Sequence, residues 1–222
     1  MLGAQPWIWW IVGDQLTLVA RNAERHADNP DFRSDMMLTL RNSADKLQAL
    51  LARLGRYGAQ GGEAPKPLAL QEVVASVAGR YAAQHEVIVV SCVPCLVLAN
   101  REALEQALVH LVQNAIEASA DGMPVFLDLR AEDAHAVIEI VDSGGGMSPE
   151  FIRTRLFKPF HSSKPGGFGI GAFEARELVR AMGGRVDVES REGLGTRFRV
   201  ILPLAEAAEM IRSIQSHRTE VA

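Results

Sequence analysis

The sequence predicts an α+β fold, a two-layer sandwich of a mixed β-sheet with helices on one face, preceded by an antiparallel helical hairpin. Two heptad seams of apolar residues within residues 9–54 are typical of paired helices. Residues 58–67 are rich in Gly and Pro, which indicates a flexible linker. Beyond the linker, short apolar strands mostly adjoin as hairpins with helices between them, a pattern typical of a mixed sheet. The expected units are therefore 1–57, 58–67, 68–204 and a tail, 205–222.

The first unit reads as a hairpin of two helices that turns near Pro30. The seams consist of Trp9, Val12, Leu16, Val19 and Ala23 on the first helix and of Met37, Leu40, Ala44, Leu47, Leu51 and Leu54 on the second. Because one hairpin buries little apolar surface, we expect it to pair with a second copy in a four-helix bundle. The sequence therefore predicts a homodimer, and a monomeric mass in solution would contradict that prediction.

The elements expected after the linker are a helix at 70–83, a strand pair at 87–98, a helix at 101–119, a hairpin at 124–141, a helix at 171–182 and a hairpin at 185–202. Residues 205–214 favour a last helix. Cys92 and Cys95 form a Cys-x-x-Cys with no second pair, so we interpret them as half-buried thiols beside a turn at Pro94. A redox pair or half of a zinc site is the alternative.

Composition excludes several classes of function. The net charge is −4 and the chain has no long basic run, so a nucleic-acid surface is not expected. The most apolar run, residues 7–12, is far shorter than the roughly 20 residues of a membrane-spanning helix. The chain as given is therefore expected to be soluble.

Seven glycines fall within residues 142–171, in two clusters. Such a concentration needs a reason, such as a positive φ or the close approach of a ligand to the main chain. The second cluster precedes a predicted helix, and a glycine-rich turn that opens a helix presents backbone N–H groups and a positive dipole end to phosphate. Tight turns without a ligand are the alternative. Neither a P-loop nor a dinucleotide fingerprint is present.

The predicted helix at 101–119 forms another wall for this region. His110, Asn114 and Glu117 lie about one turn apart on a face that adjoins the apolar one. The amide oxygen of Asn114 is a hard ligand of the kind that Mg²⁺ takes beside phosphate and water. His110 could act as a base or a positioning donor. A surface asparagine and a packed histidine are the alternatives.

Five motifs in this order resemble the ATP-binding domain of sensor histidine kinases, which has the GHKL or Bergerat-type fold. They are residues 114–118 (Asn-Ala-Ile-Glu-Ala), 142–146 (Asp-x-Gly-x-Gly), 157–160 (with Phe at both ends), 167–171 (Gly-x-Gly-x-Gly) and 193–196 (Gly-x-Gly-Thr). Residues 168–177 are most similar to sensor kinases associated with exosortase (PEP-CTERM) systems. The resemblance implies that Mg²⁺ and ATP bind, and that the γ-phosphoryl group passes to a histidine for relay to the receiver domain of a response regulator.

The resemblance also implies roles for particular residues. Asp142 would accept the adenine amine, and Gly144 and Gly146 would let the backbone pass beneath the base. Residues 147–166 would form a mobile lid in which Lys164 neutralises phosphate charge. The predicted site comprises catalytic His110 and Lys164, the metal ligand Asn114, and the nucleotide-binding residues Asn114, Ala118, Asp142, Gly144, Gly146, Met147, Lys164, Gly167, Phe168, Gly169, Ile170, Gly171 and Thr196.

The chain departs from the family at the phosphate acceptor, which is normally a histidine followed by Asp or Glu on the first hairpin helix. Residues 1–25 contain no histidine, and His26 and His85 are interpreted as structural. We therefore predict a cytoplasmic kinase portion, with any membrane anchor upstream, that binds ATP without autophosphorylating at a conventional acceptor. The alternatives are a non-catalytic nucleotide-sensing dimerisation module and an ATP-driven clamp of the same superfamily.

Overall fold

The computed structural model describes residues 65–120, 122–159, 161–162 and 169–207. All of them fall within one compact unit, Gly62–Ala222. The predicted helical hairpin (1–57), most of the predicted linker and residues 208–222 of the predicted tail lie outside the described residues. The hairpin and the dimer expected from it stay predictions.

The described elements follow the predicted order, with two additions. The first half comprises β1 (Lys66–Ala69), α1 (Leu70–Tyr81), β2 (Val87–Cys92), β3 (Leu96–Ala99) and α2 (Arg101–Ala118). The second half comprises β4 (Val125–Glu132), β5 (His135–Asp142), α3 (Pro149–Thr154), α4 (Gly171–Ala181), β6 (Arg185–Arg191) and β7 (Gly195–Pro203). Strand β1 and helix α3 were not predicted. Helix α3 begins at Pro149, and the Ser148 side chain accepts a hydrogen bond from the N–H of Phe151.

Five strands form a mixed sheet in the order β2-β4-β5-β7-β6, which confirms the predicted α+β fold. Strand β2 runs parallel to β4, and the other neighbours are antiparallel. Leu127, Ile140 and Phe198 lie side by side across β4, β5 and β7, and they join one buried core with helix residues such as Leu104 and Leu111. This face of the sheet therefore makes the first layer of the sandwich, and the helices make the second.

The opposite face of the sheet carries charged side chains in register. The Arg130 guanidinium donates to Glu139 at 2.6 Å, to Glu132 at 2.7 Å and to Asp128 at 2.6 Å. The hydrogen bond from Arg130 lowers the pKa of Glu139, and the charge of Arg199 lowers it further. The same hydrogen bond raises the pKa of Arg130. Within the described part of the chain, this face therefore carries ion pairs along and across the strands.

The predicted strand pair at 87–98 is wrong. Strand β2 belongs to the five-stranded sheet, whereas β3 pairs with β1 in a separate two-stranded sheet. Adjacency in sequence suggested a hairpin, but all four residues of β1 find partners in β3, from Lys66 opposite Ala99 to Ala69 opposite Leu96. Strand β1 therefore begins two residues inside the segment predicted as linker.

The environment of the two cysteines also differs from the prediction. Cys92 is exposed at the end of β2, Cys95 is buried just before β3, and both are free thiols. Burial raises the pKa of the Cys95 thiol, and the nearby Cys92 raises it further. The two residues do not flank a hairpin turn, because the strands on either side of Pro94 belong to different sheets.

Within the described ranges, no helix combines the length and the hydropathy needed to cross a bilayer.

Candidate functional site

Asp142 lies at the carboxyl end of β5 and is 4% exposed. Its Oδ1 accepts hydrogen bonds from the backbone N–H of Gly144 at 2.9 Å and of Thr196 at 3.2 Å. The β5–β7 register places Asp142 directly opposite Thr196, so the sheet itself positions the second donor. Two main-chain donors on one oxygen fix the orientation of the carboxylate.

Two positions close to Asp142 must be glycine, because a Cβ there would collide with the main chain. A Cβ on Gly144 would lie 2.1 Å from the carbonyl oxygen of Ala118, at the end of α2. A Cβ on Gly195 would lie 2.0 Å from the carbonyl oxygen of Asp142, and the φ of Gly195 is +95°. No side chain fits at either position. The loop after β5 is therefore packed directly on α2 and β7, which brings Ala118, Asp142, Gly144 and Thr196 together.

Hydrogen bonds of the Ser190 hydroxyl, which were not predicted, connect the segment after Gly146 to strands β6 and β7. The Ser190 hydroxyl accepts from the N–H of Met147 at 2.9 Å, and its oxygen also lies 2.9 Å from the Thr196 hydroxyl. Ser190 in turn donates to the carbonyl oxygen of Gly195 at 2.9 Å. Ser190 belongs to β6, whose pairing with β7 puts it opposite Thr196. The start of the predicted lid at Met147 is thus anchored to the sheet.

The other wall forms where α2 meets α4. Helix α2 is capped by Asn100, whose side chain accepts from the N–H of Ala103 at 2.9 Å, and it carries His110 and Asn114. A Cβ on Gly171 would lie 3.6 Å from His110 Nδ1 and 3.7 Å from Asn114 Oδ1. The first residue of α4 therefore lies beside both predicted side chains, which a side chain at this position would touch.

A buried carboxylate that was not predicted lies beneath His110. Glu174 is 7% exposed, and its Oε2 lies 3.1 Å from His110 Nε2. The two groups are at ion-pair distance, but the ring N–H direction does not reach hydrogen-bond alignment. The amide nitrogen of Gln106 donates to Oε1 of the same carboxylate at 2.9 Å. The sequence contains an indication of this cluster. Glu174 is one turn before Leu178, so a charged residue occupies a position of the buried, otherwise apolar face of α4.

The turn that leads into α4 has the conformation expected of a glycine-rich loop. Gly169 has a φ of +64°, and a Cβ there would lie 2.5 Å from the backbone of His161. Ile170 follows as the N-cap and is buried, and it makes no side-chain capping bond. The N-cap side chain therefore leaves the first N–H groups of α4 uncapped, as a phosphate-binding helix terminus requires.

Arg176 ties α4 to the segment after α3. Its guanidinium carbon lies 4.7 Å from the centroid of the Phe157 ring, and its Nη2 donates to the carbonyl oxygen of Phe157 at 3.1 Å. Burial lowers the pKa of the Arg176 guanidinium, and the positive charge of Arg180 lowers it further. Phe157 lies in the segment whose resemblance to a kinase motif was noted from the sequence.

Comparison with known proteins matches this geometry to a family. Residues 99–206 match the family described as histidine kinase-, DNA gyrase B-, and HSP90-like ATPase. The domain that residues 99–206 form belongs to this family. The C4-dicarboxylate transport sensor protein DctB of Rhizobium meliloti is 32% identical over 180 residues, which cover 78% of this chain and 29% of that protein. Sensor protein FixL of Bradyrhizobium diazoefficiens is 37% identical over 114 residues, covering 50% of this chain and 22% of that protein.

Solved structures identify the domain as the sensor histidine kinase type. A mycobacterial sensor histidine kinase, MprB, superposes with a TM-score of 0.58 at 27% identity and covers 64% of this chain and 98% of its own. Full-length ShkA in complex with AMPPNP superposes with a TM-score of 0.60 at 25% identity, covering 80% of this chain and 40% of its own. The chain spans less than a third of the length of DctB and FixL.

The histidine kinase-type domain brings most of the predicted site residues to two adjoining places. Asp142, Gly144, Met147 and Thr196 meet at the ends of β5 and β7 next to Ala118, whereas His110 and Asn114 meet Gly171 at the start of α4. Lys164, Gly167 and Phe168 lie outside the described residues, so their predicted roles stay predictions.

The described residues fit a Mg²⁺ ion that is held mainly by ligand phosphates and water, with one ligand from the protein. Among the residues that the structure describes, no group of three or more His, Cys, Asp or Glu side chains could hold a metal ion. Asn114 offers one amide oxygen beside Gly171. This donor set is inadequate for an all-protein metal cage, but it is typical of Mg²⁺ that is held mainly by nucleotide phosphates and water.

An open cavity of about 620 Å³ borders Asp142 on the side of helix α3. Its lining includes Val141, Glu189 and Arg197. These residues alternate with the core-facing residues of their strands and thus belong to the charged face of the sheet. Its lining also includes Asp142, Ser190 and Thr196 at core-facing positions but neither Asn114 nor Gly171, so the cavity is distinct from the space between those two residues.

Proposed function

We propose that this chain is the catalytic portion of a sensor histidine kinase, which binds Mg²⁺ and ATP and transfers the γ-phosphoryl group to a histidine. The observation that carries the proposal is the buried Asp142 carboxylate with two main-chain donors on Oδ1. A carboxylate held in this way accepts further hydrogen bonds but donates none, and it therefore favours adenine, whose amine donates, over guanine, which has a carbonyl there.

The triphosphate would extend from Asp142 towards the start of α4. The uncapped first turn of α4 supplies a positive dipole end, and Gly169 and Gly171 allow close approach of the main chain. Asn114 would supply one oxygen to Mg²⁺, and the metal would neutralise charge on the phosphates. Lys164 would add a positive charge to the same region.

The chemical step would be an in-line transfer in which positioning and charge neutralisation supply most of the acceleration. The residues of this chain bind the nucleotide, orient its phosphates and exclude water when the lid closes. By analogy with the sensor proteins that it resembles, the chain would act as a cytoplasmic homodimer and would relay phosphate to the receiver domain of a response regulator.

Two measurements on the full chain test this function. Calorimetry with ATP and MgCl₂ should show binding, and ITP, which has a carbonyl in place of the adenine amine, should bind at least tenfold more weakly. Incubation of the chain with γ-labelled ATP, a receiver domain and a separate histidine-containing hairpin should then give acid-labile label on the hairpin. Equal affinity for ATP and ITP would contradict the role of Asp142, and binding without any transfer would contradict the kinase assignment.

A nucleotide-sensing module without transfer is the second candidate. It is favoured by one observation, namely that residues 1–25 contain no histidine. Under this function the chain would bind ATP as above, whereas no label would reach either its own hairpin or a supplied one. The ATP-driven clamp of the same superfamily would instead hydrolyse ATP without transfer.

A further inference from the structure

Glu174 occupies a position that an apolar residue would normally fill. It belongs to the buried face of α4 together with Ala175, Leu178 and Val179. A carboxylate in such a place loses its hydration, and this loss destabilises the fold unless polar partners replace the water. Two of its polar neighbours lie on α2, namely Gln106, which donates a hydrogen bond at 2.9 Å, and His110, whose Nε2 is 3.1 Å from the carboxylate.

The cluster determines which nitrogen of His110 carries the proton. Nε2 lies 3.1 Å from Oε2 without hydrogen-bond alignment, but an ionised carboxylate at that distance repels a nitrogen lone pair and attracts an N–H, so we assign the ring proton to Nε2. The positive end of helix α4 favours the ionised carboxylate, because Glu174 lies in its first turn. Nδ1 is then left as the hydrogen-bond acceptor. It is the ring nitrogen that approaches Gly171, next to the amide oxygen of Asn114.

We propose that Glu174 is a positioning residue, which fixes His110 with Nε2 protonated so that Nδ1 accepts a hydrogen bond from a water molecule bound to Mg²⁺. Asn114 and His110 are one helical turn apart on α2. Asn114 would therefore contact the metal directly, and His110 would contact a water molecule of its hydration shell. This inference rests on the proposed function, because it requires a magnesium–nucleotide complex between Asn114 and Gly171.

The proposal differs from a purely structural role of Glu174 in one measurable respect. A carboxylate that merely fills space would affect stability and every mode of nucleotide binding alike. A residue that acts through His110 on metal-bound water affects the part of the affinity that depends on Mg²⁺. The informative quantity is therefore the ratio of the dissociation constants of AMPPNP measured in EDTA and in MgCl₂.

Calorimetry on the full chain and four variants, three single and one double, measures this ratio. We expect Glu174→Gln to lower the ratio about tenfold while the affinity in EDTA stays within about twofold, since loss of an outer-sphere partner typically weakens metal binding by 10- to 100-fold. Glu177→Gln is the matched control, because it removes a more exposed carboxylate from the same helix. In a His110→Gln background, Glu174→Gln should produce no further change in the ratio. An unchanged ratio in Glu174→Gln would overturn the proposal.

A spectroscopic measurement tests the same inference without nucleotide. Long-range ¹H–¹⁵N correlation spectra of the ¹⁵N-histidine-labelled chain at neutral pH report which ring nitrogens are protonated, and the His110→Gln spectrum identifies the signals of His110 among the six histidines. We expect Nε2 to be protonated and Nδ1 to be unprotonated in the wild type and in Glu177→Gln, and this preference to be lost in Glu174→Gln. Protonation of both nitrogens, or of Nδ1 alone, in the wild type would refute the acceptor role.

The two experiments also separate this inference from the proposed function. Absence of AMPPNP binding in both EDTA and MgCl₂ would refute the nucleotide site itself, and with it the inference. Normal binding with a magnesium dependence that is the same in the wild type and in Glu174→Gln would refute only the inference. Thermal denaturation of each variant shows whether it is folded, and a Glu174→Gln chain that does not fold is replaced by Gln106→Leu, which removes a hydrogen bond that orients the carboxylate and should lower the same ratio.

Discussion

Asp142→Asn should reverse the preference of the site for the nucleotide base. The substitution changes one oxygen into an NH₂ group and keeps the shape of the side chain. Because the N–H groups of Gly144 and Thr196 point at the Oδ1 position, the amide oxygen must occupy that position in the variant. The amide nitrogen then takes the place of Oδ2, so that a donor replaces an acceptor there.

The magnitude follows from this forced orientation. Under the proposed function the adenine amine donates to the carboxylate, and a hydrogen bond to a charged group contributes about 1.5–3 kcal/mol. Its loss should weaken ATP binding about 10- to 100-fold, because each 1.4 kcal/mol is tenfold in affinity. ITP carries a carbonyl at the place of the amine and should instead gain an N–H···O bond, so its affinity for the variant should rise. The bonds to Gly144 and Thr196 remain, although to a neutral oxygen, and the melting temperature should fall by only a few degrees.

Calorimetry with ATP and ITP on the wild-type chain and on Asp142→Asn measures both changes, and circular dichroism melting checks the fold. The ratio of the ATP and ITP affinities is the decisive quantity, since a general loss of structure weakens both nucleotides together. If the variant retained the wild-type ratio, the base would not contact Asp142, and the reasoning from the orientation of Oδ1 would be wrong.

Two further predictions concern the fold around the site. Gly144→Ala should destabilise the domain by about 1–3 kcal/mol, since its Cβ would lie 2.1 Å from a main-chain oxygen. Gly145→Ala is the control, because a Cβ at that position would have no atom within 4 Å. Similar midpoints of urea unfolding for the two variants would contradict the packing of Gly144 on the main chain. The pKa of Glu139 is lowered from its usual 4.5 by the hydrogen bond from Arg130, so the stability that this pair contributes is present above about pH 4.5 and is lost as the pH falls through the lower folded-state pKa. Glu139→Gln should therefore flatten the acid limb of a plot of melting temperature against pH, and an unaltered limb would show that the pair contributes nothing there.

The half of the site around Asp142 could be predicted from the sequence because its signals are local. Asp142 and Gly144 are two residues apart, and the glycines mark a place where the main chain passes close to its neighbours. Apart from helix α3, the order of helices and hairpins from residue 101 onwards was predictable for the same reason, since each hairpin there joins strands that are adjacent in sequence.

The parts that were missed depend on contacts between distant segments. Strand β2 pairs with β4 across an intervening helix, and a hydrophobic pattern contains no information about which strand is the partner. The Glu174 cluster joins residues on two helices, 64 positions apart in the case of His110. The indication in the sequence was a charged residue at a position where the helical pattern is apolar. Such a residue needs a polar partner, but the pattern does not identify the partner.

Helix α4 connects the separate parts of the site within six residues. Gly171 lies beside His110 and Asn114, Glu174 lies at ion-pair distance from His110, and Arg176 donates a hydrogen bond to Phe157. These contacts lie on one rigid helix, so a displacement of α4 changes the distance to α2 and the distance to the segment after α3 together. The sheet fixes Asp142 independently of α4, through Thr196. The end of the site nearest Asp142 is therefore set by strand register, whereas the end nearest Asn114 is set by the packing of two helices.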